Sequence, residues 1–330
     1  MASRHRAAAT HFGGETMKKV FAIAAAIALL SLGIAAQAIT IDTVRVGDAG
    51  NAADGTGYGS VAYNYNIGKY EVTAGQYTDF LNNKAKTDNY GLYNTNMDTA
   101  VYSDGCNIKR NGSSGNYNYS VASDWANRPV NYVSYWDSLR FTNWLGNGQG
   151  NSSTETGAYT IPNGYNGIDG RAIQRNAGAT WALTSEDEWY KAAYYKGGGL
   201  YSLYANGTST LPVAGTTGSN YDWAIGHTWD GTINGALEQN GTKDMMGNVW
   251  EWNEAIPYQG ANYACRGLRG GSFSGYDSTL QSTSRSDGVD HPDYESYYVG
   301  FRVSQVPEPS SIIALLGGLA GLIGLRRRRA

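Results

Sequence analysis

The richest side-chain chemistry in this 330-residue chain lies in two loops of its last third. Residues 244–251 read DMMGNVWE, with Asp244 and Glu251 flanking a glycine-containing turn whose carbonyls can point inward. Ca²⁺ takes about six to eight oxygens and mixes carboxylates with backbone carbonyls, so a compact acidic loop of this kind is a reasonable cage. A metal-free turn with Trp250 and Trp252 in the core is the alternative. The second loop, residues 269–280, reads RGGSFSGYDSTL. It sets two glycines beside a hydroxyl and an aromatic, yet contains no Cys, no His and a single carboxylate. Ser272 has no recognisable base nearby in sequence, so a nucleophilic triad has no local support.

The remaining reactive residues are few. Outside the first 38 residues the histidines are His227 and His291, with no H-x-x-x-H or H-E-x-x-H spacing, so a histidine metal centre is not expected. Each is expected as a hydrogen-bonded or surface loop residue. The two cysteines, Cys106 and Cys265, lie far apart in loop-like surroundings. In an oxidising compartment an even pair points to one disulfide; two buried free thiols are the other reading.

The elements that must position these loops lie between two processing segments. Residues 17–38, MKKVFAIAAAIALLSLGIAAQA, join two lysines, an apolar stretch and a small-x-small ending, the pattern of a secretory signal peptide with Met17 as the true start. Residues 306–330 break at Pro307-Glu308-Pro309, run apolar from 312 to 325 and end in four arginines. That run is shorter than the ~20 residues that span a bilayer comfortably, and the arginines would hold its end on the cytoplasmic side. The leader carries four Lys/Arg and one Asp/Glu and the tail four Arg and Glu308, which leaves 17 basic against 26 acidic residues, net −9, over residues 39–305. Such a balance argues against nucleic acid as a partner and suits divalent cations or neutral glycans.

With 9 Trp, 26 Tyr and 44 Gly but only 6 Phe, the core should be aromatic and the chain rich in irregular turns. Residues 39–66 carry an entry strand or two. Thr73 is expected to cap a short helix bearing Tyr77, Phe80 and Leu81 on one side, and Ser134 a second helix ending at Gly146. Ser185 and Glu188 form the S-x-x-E capping box of a third, with no long helix from there to residue 305. Residues 84–127 and 147–178 read as long loops.

At residues 244–254, DMMGNVWEWNE, the chain resembles the G-N-V-W-E-W signature of the formylglycine-generating enzyme, or sulfatase-modifying factor, family. Five further stretches agree in order: IGKYEVTAGQYTDFLN, RPVNYVSYWDSLRFTNWL, WALTSEDEWYKAA, LRGGSF and HPDYESYYVGFRV. The resemblance covers about residues 67–303. It implies one α+β domain over 39–305, an irregular variant of the C-type lectin-like fold with few short helices and much loop. It also implies a structural calcium held by the side chains of Asp244 and Glu251 and the carbonyls of Gly247 and Val249. The tail is similar to the PEP-CTERM sorting signal of Gram-negative bacteria, recognised by an exosortase, which implies export, transient anchoring by the C-terminal segment and release to the cell surface or beyond.

Catalysis is where the sequence departs from the family. The family's enzyme oxidises a sulfatase cysteine with copper held by two cysteines after R-G-G-S, and soft thiolates suit Cu(I). Those positions fall on Gly275 and Leu280, so no copper is expected. Leu280 and Arg285 instead match the L-R-S-x-x-R of cysteine-lacking members, and Arg285 is expected to pair with a neighbour such as Asp287. Arg269, Ser272, Gly275, Leu280 and Arg285 would frame the family's pocket. Two functions follow: an exported binding module that presents polar and aromatic loops to a glycan or surface protein, or a formylglycine-generating-type oxidase or other enzyme that has replaced the missing cysteines.

Overall fold

The computed structural model describes residues 38–162, 164–286 and 290–307. The expected signal peptide, sorting tail and Asp287 lie outside them, apart from Ala38 at the end of the first and Val306 and Pro307 at the start of the second. From Ile39 onward the described chain is one compact unit.

Among the described residues three α-helices form where local signals start them. α1 (Ala74–Lys84) opens on Thr73, whose hydroxyl accepts from the Gln76 N–H at 3.2 Å while Gln76 returns its amide oxygen to the Thr73 N–H at 2.9 Å. α2 (Tyr135–Gly146) and α3 (Glu186–Tyr194) repeat the reciprocal cap with Ser134–Asp137 and Ser185–Glu188. Each cap satisfies N–H groups that a helix start leaves unpaired.

α2 is buried on every side from Tyr135 to Leu145, which its polar residues would forbid without partners. Residues 147–178 supply them. Arg140 forks onto Glu155 at 2.8 and 3.1 Å, and Asn143 donates to the carbonyls of Thr154 and Tyr159 at 2.7 and 3.0 Å. This long loop therefore wraps the central helix. Against α2 pack the rings of α1: Tyr77 stacks on Phe141 at 6.1 Å and Phe80 meets Trp144 at 5.3 Å.

The strands are short. β1 (Thr43–Val46), β2 (Tyr65–Gly68), β11 (Val303–Gln305) and β5 (Trp181–Leu183) form an antiparallel sheet in that order. β10 (Val299–Phe301), β8 (Trp250–Asn253) and β9 (Gly267–Arg269) form a second, in which β10 runs parallel and β9 antiparallel to β8. The chain passes from one sheet to the other at Arg302, which separates β10 from β11.

Two sequence expectations need correction. Residues 84–127 are not a bare loop: β3 (Ile108–Asn111) and β4 (Asn118–Val121) pair as a hairpin, and Tyr119 sends its hydroxyl to the Ala85 carbonyl at 2.8 Å. Alternation over four residues between glycine-rich turns is too short a signal to stand out. Cys106 and Cys265 form no disulfide; both are buried free thiols. Cys106 packs in the main core, where burial pushes its pKa up to about 11.

Candidate functional site

Three loops interlock where the family's reaction centre would lie. Arg269 ends β9, and Gly270 and Gly271 turn the chain with φ of 101° and 74°, conformations costly for any residue with a Cβ. A Cβ on Gly271 would also stand 2.5 Å from the Thr279 hydroxyl. The Gly247 N–H donates to Gly270 O at 2.8 Å, Phe273 N–H to Asn248 O at 2.9 Å and Asn248 N–H to Asn220 O at 2.8 Å. Asp222 and Trp223 then donate to Gly275 O and Phe273 O at 2.8 and 2.7 Å, closing the ring of loops 220–223, 247–249 and 270–275.

The five residues expected to frame a pocket are placed differently from that expectation. Arg269 is buried, donates to Glu186 at 2.8 Å and to the carbonyls of Ser282 and Ser284, and lies over the rings of Tyr58 and Tyr190. Ser272 is buried and meets the Ser274 hydroxyl at 3.2 Å, with no histidine partner. Leu280, fully buried, belongs to the core with Trp189, Tyr194, Met245 and Met246. Arg285 donates to Glu186 at 2.9 Å and to the Tyr58 hydroxyl at 2.8 Å. Among the described residues its ionic partner is Glu186, delivered from the first turn of α3; the expected pairing with Asp287 lies outside them. Of the five, Gly275 and Arg285 are half-buried at the surface and the other three are buried.

His227 and His291 are loop residues with local partners: His227 Nδ1 lies 3.1 Å from Arg128, and the His291 ring packs on Tyr263 at 5.1 Å.

The expected calcium ligands diverge. Asp244 adopts φ 60°, gives one carboxylate oxygen to the Trp229 indole at 3.0 Å and leaves the other without a partner among the described residues. Burial, opposed by the Trp229 hydrogen bond and the charge of Arg302, raises its pKa to about 7. Glu251 is committed elsewhere. Arg302 forks onto both its oxygens at 2.6 Å, and the Trp189 indole adds a third bond at 2.8 Å. Gly247 and Val249 lie in the turn between them. Among the described residues no group of three or more His, Cys, Asp or Glu is gathered as a metal would require. This arrangement does not fit a cation ligated through Glu251, because a guanidinium already fills that place.

What the loops present outward is aromatic. Asp222 and Trp223 are consecutive residues with φ of 54° and 55°, a left-handed pair that carries about 1–3 kcal/mol of strain per residue. The two hydrogen bonds to loop 270–275 hold it. The outcome is a Trp223 ring that stays 48 % exposed, edge-on to Phe273 at 5.2 Å and beside Tyr297 at 6.3 Å. Tyr297 continues to the partly exposed Tyr102 at 5.8 Å, and Tyr276 stands exposed on the same loop as Gly275. Neither Trp223 nor Tyr102 is marked by spacing; only the chain's abundance of Tyr and Trp hinted at such a surface.

Short caps, small sheets, wrapped loops and the interlocked glycine turns define an irregular α+β domain of the C-type lectin-like, formylglycine-generating type. Residues 49–306 match the sulfatase-modifying factor enzyme 1-like domain, and the chain belongs to that family. Residues 305–329 match the PEP-CTERM protein-sorting motif, which marks the chain for export, C-terminal membrane anchoring and exosortase-directed sorting in a Gram-negative bacterium. Among solved structures the chain is similar to CarF, at 21 % identity and TM-score 0.51 over 81 % of this chain and 99 % of CarF. It is also similar to variable protein 1 of Treponema denticola, at 17 % identity and TM-score 0.45 over 82 % and 96 % of the two chains. PvdO of Pseudomonas aeruginosa stands at 17 % and 0.43 over 81 % and 92 %. No curated protein sequence matches it.

Proposed function

We propose that this exported domain is a non-catalytic binding module that holds polysaccharide of the extracellular matrix on the aromatic ledge of Trp223, Tyr297 and Tyr102. The observation that carries the reading is Trp223. Two consecutive left-handed residues are strained to keep an indole half out in water, braced by Phe273 and Tyr297. Buried apolar rings lower free energy, so strain maintained to expose one is strain maintained for contact. Flat rings in a row suit the apolar faces of sugar rings, and the amides and hydroxyls of the neighbouring loops suit their hydroxyls. The copper positions support the same reading: Gly275 has no side chain, and Leu280 turns inward to the core. The sorting signal, which marks the chain for export and C-terminal anchoring, supports such a role.

The test is binding of the full chain to a glycan array and to polysaccharide from the native matrix. Retention is expected, with Trp223→Ala losing about tenfold or more in affinity, since one stacked aromatic contributes about 0.5–1.5 kcal/mol beyond its buried area. Capture of a surface protein without any glycan, or equal retention by Trp223→Ala, refutes it. Conversion of cysteine to formylglycine in a sulfatase peptide would overturn the non-catalytic half.

A further inference from the structure

A second cleft, sharing no residue with the ledge, lies beside the N-terminal turn of α2. Its volume is about 470 Å³, within the range of small-ligand sites, and its walls include Tyr135, Ile173, Arg175, Glu254, Ile256 and Arg266. Two buried polar atoms of this wall lack partners among the described residues: the hydroxyl of Tyr135 and Nε of Arg266. Tyr135 is 0 % and Arg266 2 % exposed, so neither reaches bulk water, and an unsatisfied buried donor costs about 1–3 kcal/mol.

The other contacts fix these groups. Arg266 places its guanidinium 4.5 Å over the Tyr135 ring and donates its terminal nitrogens to the carbonyls of Glu254, Gly170 and Ile173. No carboxylate pairs with it among the described residues. Arg175 donates to both oxygens of Glu254 at 2.9 Å and to both of Glu188 at 2.8 and 2.9 Å. Glu254 accepts one more bond, from Tyr159, and keeps acceptor capacity toward the cleft, where its side chain is 19 % exposed. Burial, reinforced by the Glu254 carboxylate and opposed by Arg266 and Arg175, raises the Tyr135 hydroxyl's pKa to about 12, so it stays protonated and able to donate.

Glu254 at the wall and Glu188, buried behind Arg175, balance the charges of Arg175 and Arg266, so an ionic ligand gains little there. The unpaired Tyr135 hydroxyl and Arg266 Nε call for acceptor oxygens, and Glu254 calls for a donor. Ile173 and Ile256 offer an apolar edge. A group that both donates and accepts through several hydroxyls while keeping an apolar face meets all these needs. We infer that this cleft binds a neutral polyhydroxylated ring, one sugar residue in size, through Tyr135, Arg266 and Glu254. The inference stands whether or not the aromatic ledge binds polysaccharide.

The test uses the full chain with glucose, galactose, mannose and N-acetylglucosamine, and glucuronate as the charged comparison, read by thermal shift and hydrogen exchange. At least one neutral sugar should raise Tm and protect the segments around Ile173–Arg175 and Glu254–Ile256. Tyr135→Phe removes a hydroxyl without a protein partner, so its unliganded Tm should equal or exceed that of the wild type while the sugar's Kd rises about fivefold or more. No response to any neutral sugar, preference for glucuronate, protection elsewhere, or wild-type affinity in Tyr135→Phe overturns the inference.

Discussion

Replacing Arg302 by Met should unfold the link between the two sheets, and the size of the effect follows from what the guanidinium touches. Arg302 is fully buried; Nε and Nη2 donate to Glu251 at 2.6 Å, Nη1 to Gly68 O and Lys69 O at 2.9 and 3.3 Å, and Nη2 also to Lys243 O at 3.0 Å. One side chain thus ties the end of β2, the 243 loop and β8. Arg302→Met leaves the Glu251 carboxylate buried with only the Trp189 indole, and breaking a buried ion pair from one side costs about 3–5 kcal/mol. For a domain of this size that is a fall in Tm on the order of 10 °C. Glu251→Leu with Arg302→Met removes both charges and should recover part of the loss, leaving chiefly the three stranded carbonyls.

The same measurement decides between Arg302 and calcium as the partner of Glu251. A cation held at a hundred times its Kd would contribute about 2.7 kcal/mol, and a chelator would remove it. With Glu251 held by Arg302, EDTA and millimolar Ca²⁺ should leave the wild-type Tm where it is, measured by calorimetry at fixed ionic strength. If EDTA lowers the wild-type Tm as far as Arg302→Met does, and Glu251→Gln is blind to EDTA, the guanidinium is not the partner that matters and the reasoning fails.

Leu280→Ala, at a position the enzyme would give to copper, should cost about 2–5 kcal/mol in urea unfolding, because the side chain is wholly buried among Trp189, Tyr194 and the two methionines; a cost under 1 kcal/mol would mean the loop carries an open site there. Cys106 and Cys265 should resist alkylation in the native state and both label after denaturation without reductant, as mass spectrometry will show; an unlabelled pair would reveal a disulfide. Burial raises Asp137 to about 6 and, together with repulsion from Asp137, Glu295 to about 8, above their unfolded values of 3.8 and 4.5. Carboxyls raised on folding stabilise fully below the unfolded values and lose that contribution as pH climbs to the folded ones. Stability should therefore fall between about pH 4 and 8, by up to about 1.4 kcal/mol per pH unit for each proton, and Glu295→Gln should flatten the curve in denaturant titrations.

The legible parts of this domain are those whose causes lie within a few residues. Thr73–Gln76, Ser134–Asp137 and Ser185–Glu188 are each three residues apart, and all three helices start where those pairs set them. The family motifs likewise delivered the fold and the position of the glycine turns. What the sequence could not disclose depends on partners far along the chain. Glu251 looked like half of a cage because its neighbour Asp244 is acidic, while the guanidinium that donates to it in the structure stands 51 residues away. Trp223 is one of 9 tryptophans, and its exposure is decided by hydrogen bonds to Phe273 and Gly275 that no local pattern encodes. Tyr135 is the sharpest case. In YWDSLRF it reads as one more ring on a buried helix face, and its ring is indeed buried against Trp252 and Arg266. Yet Phe would fill that volume equally well. The hydroxyl left without a partner at the wall of a cleft is therefore a feature that packing does not explain, and a reason for it must be sought in what enters the cleft.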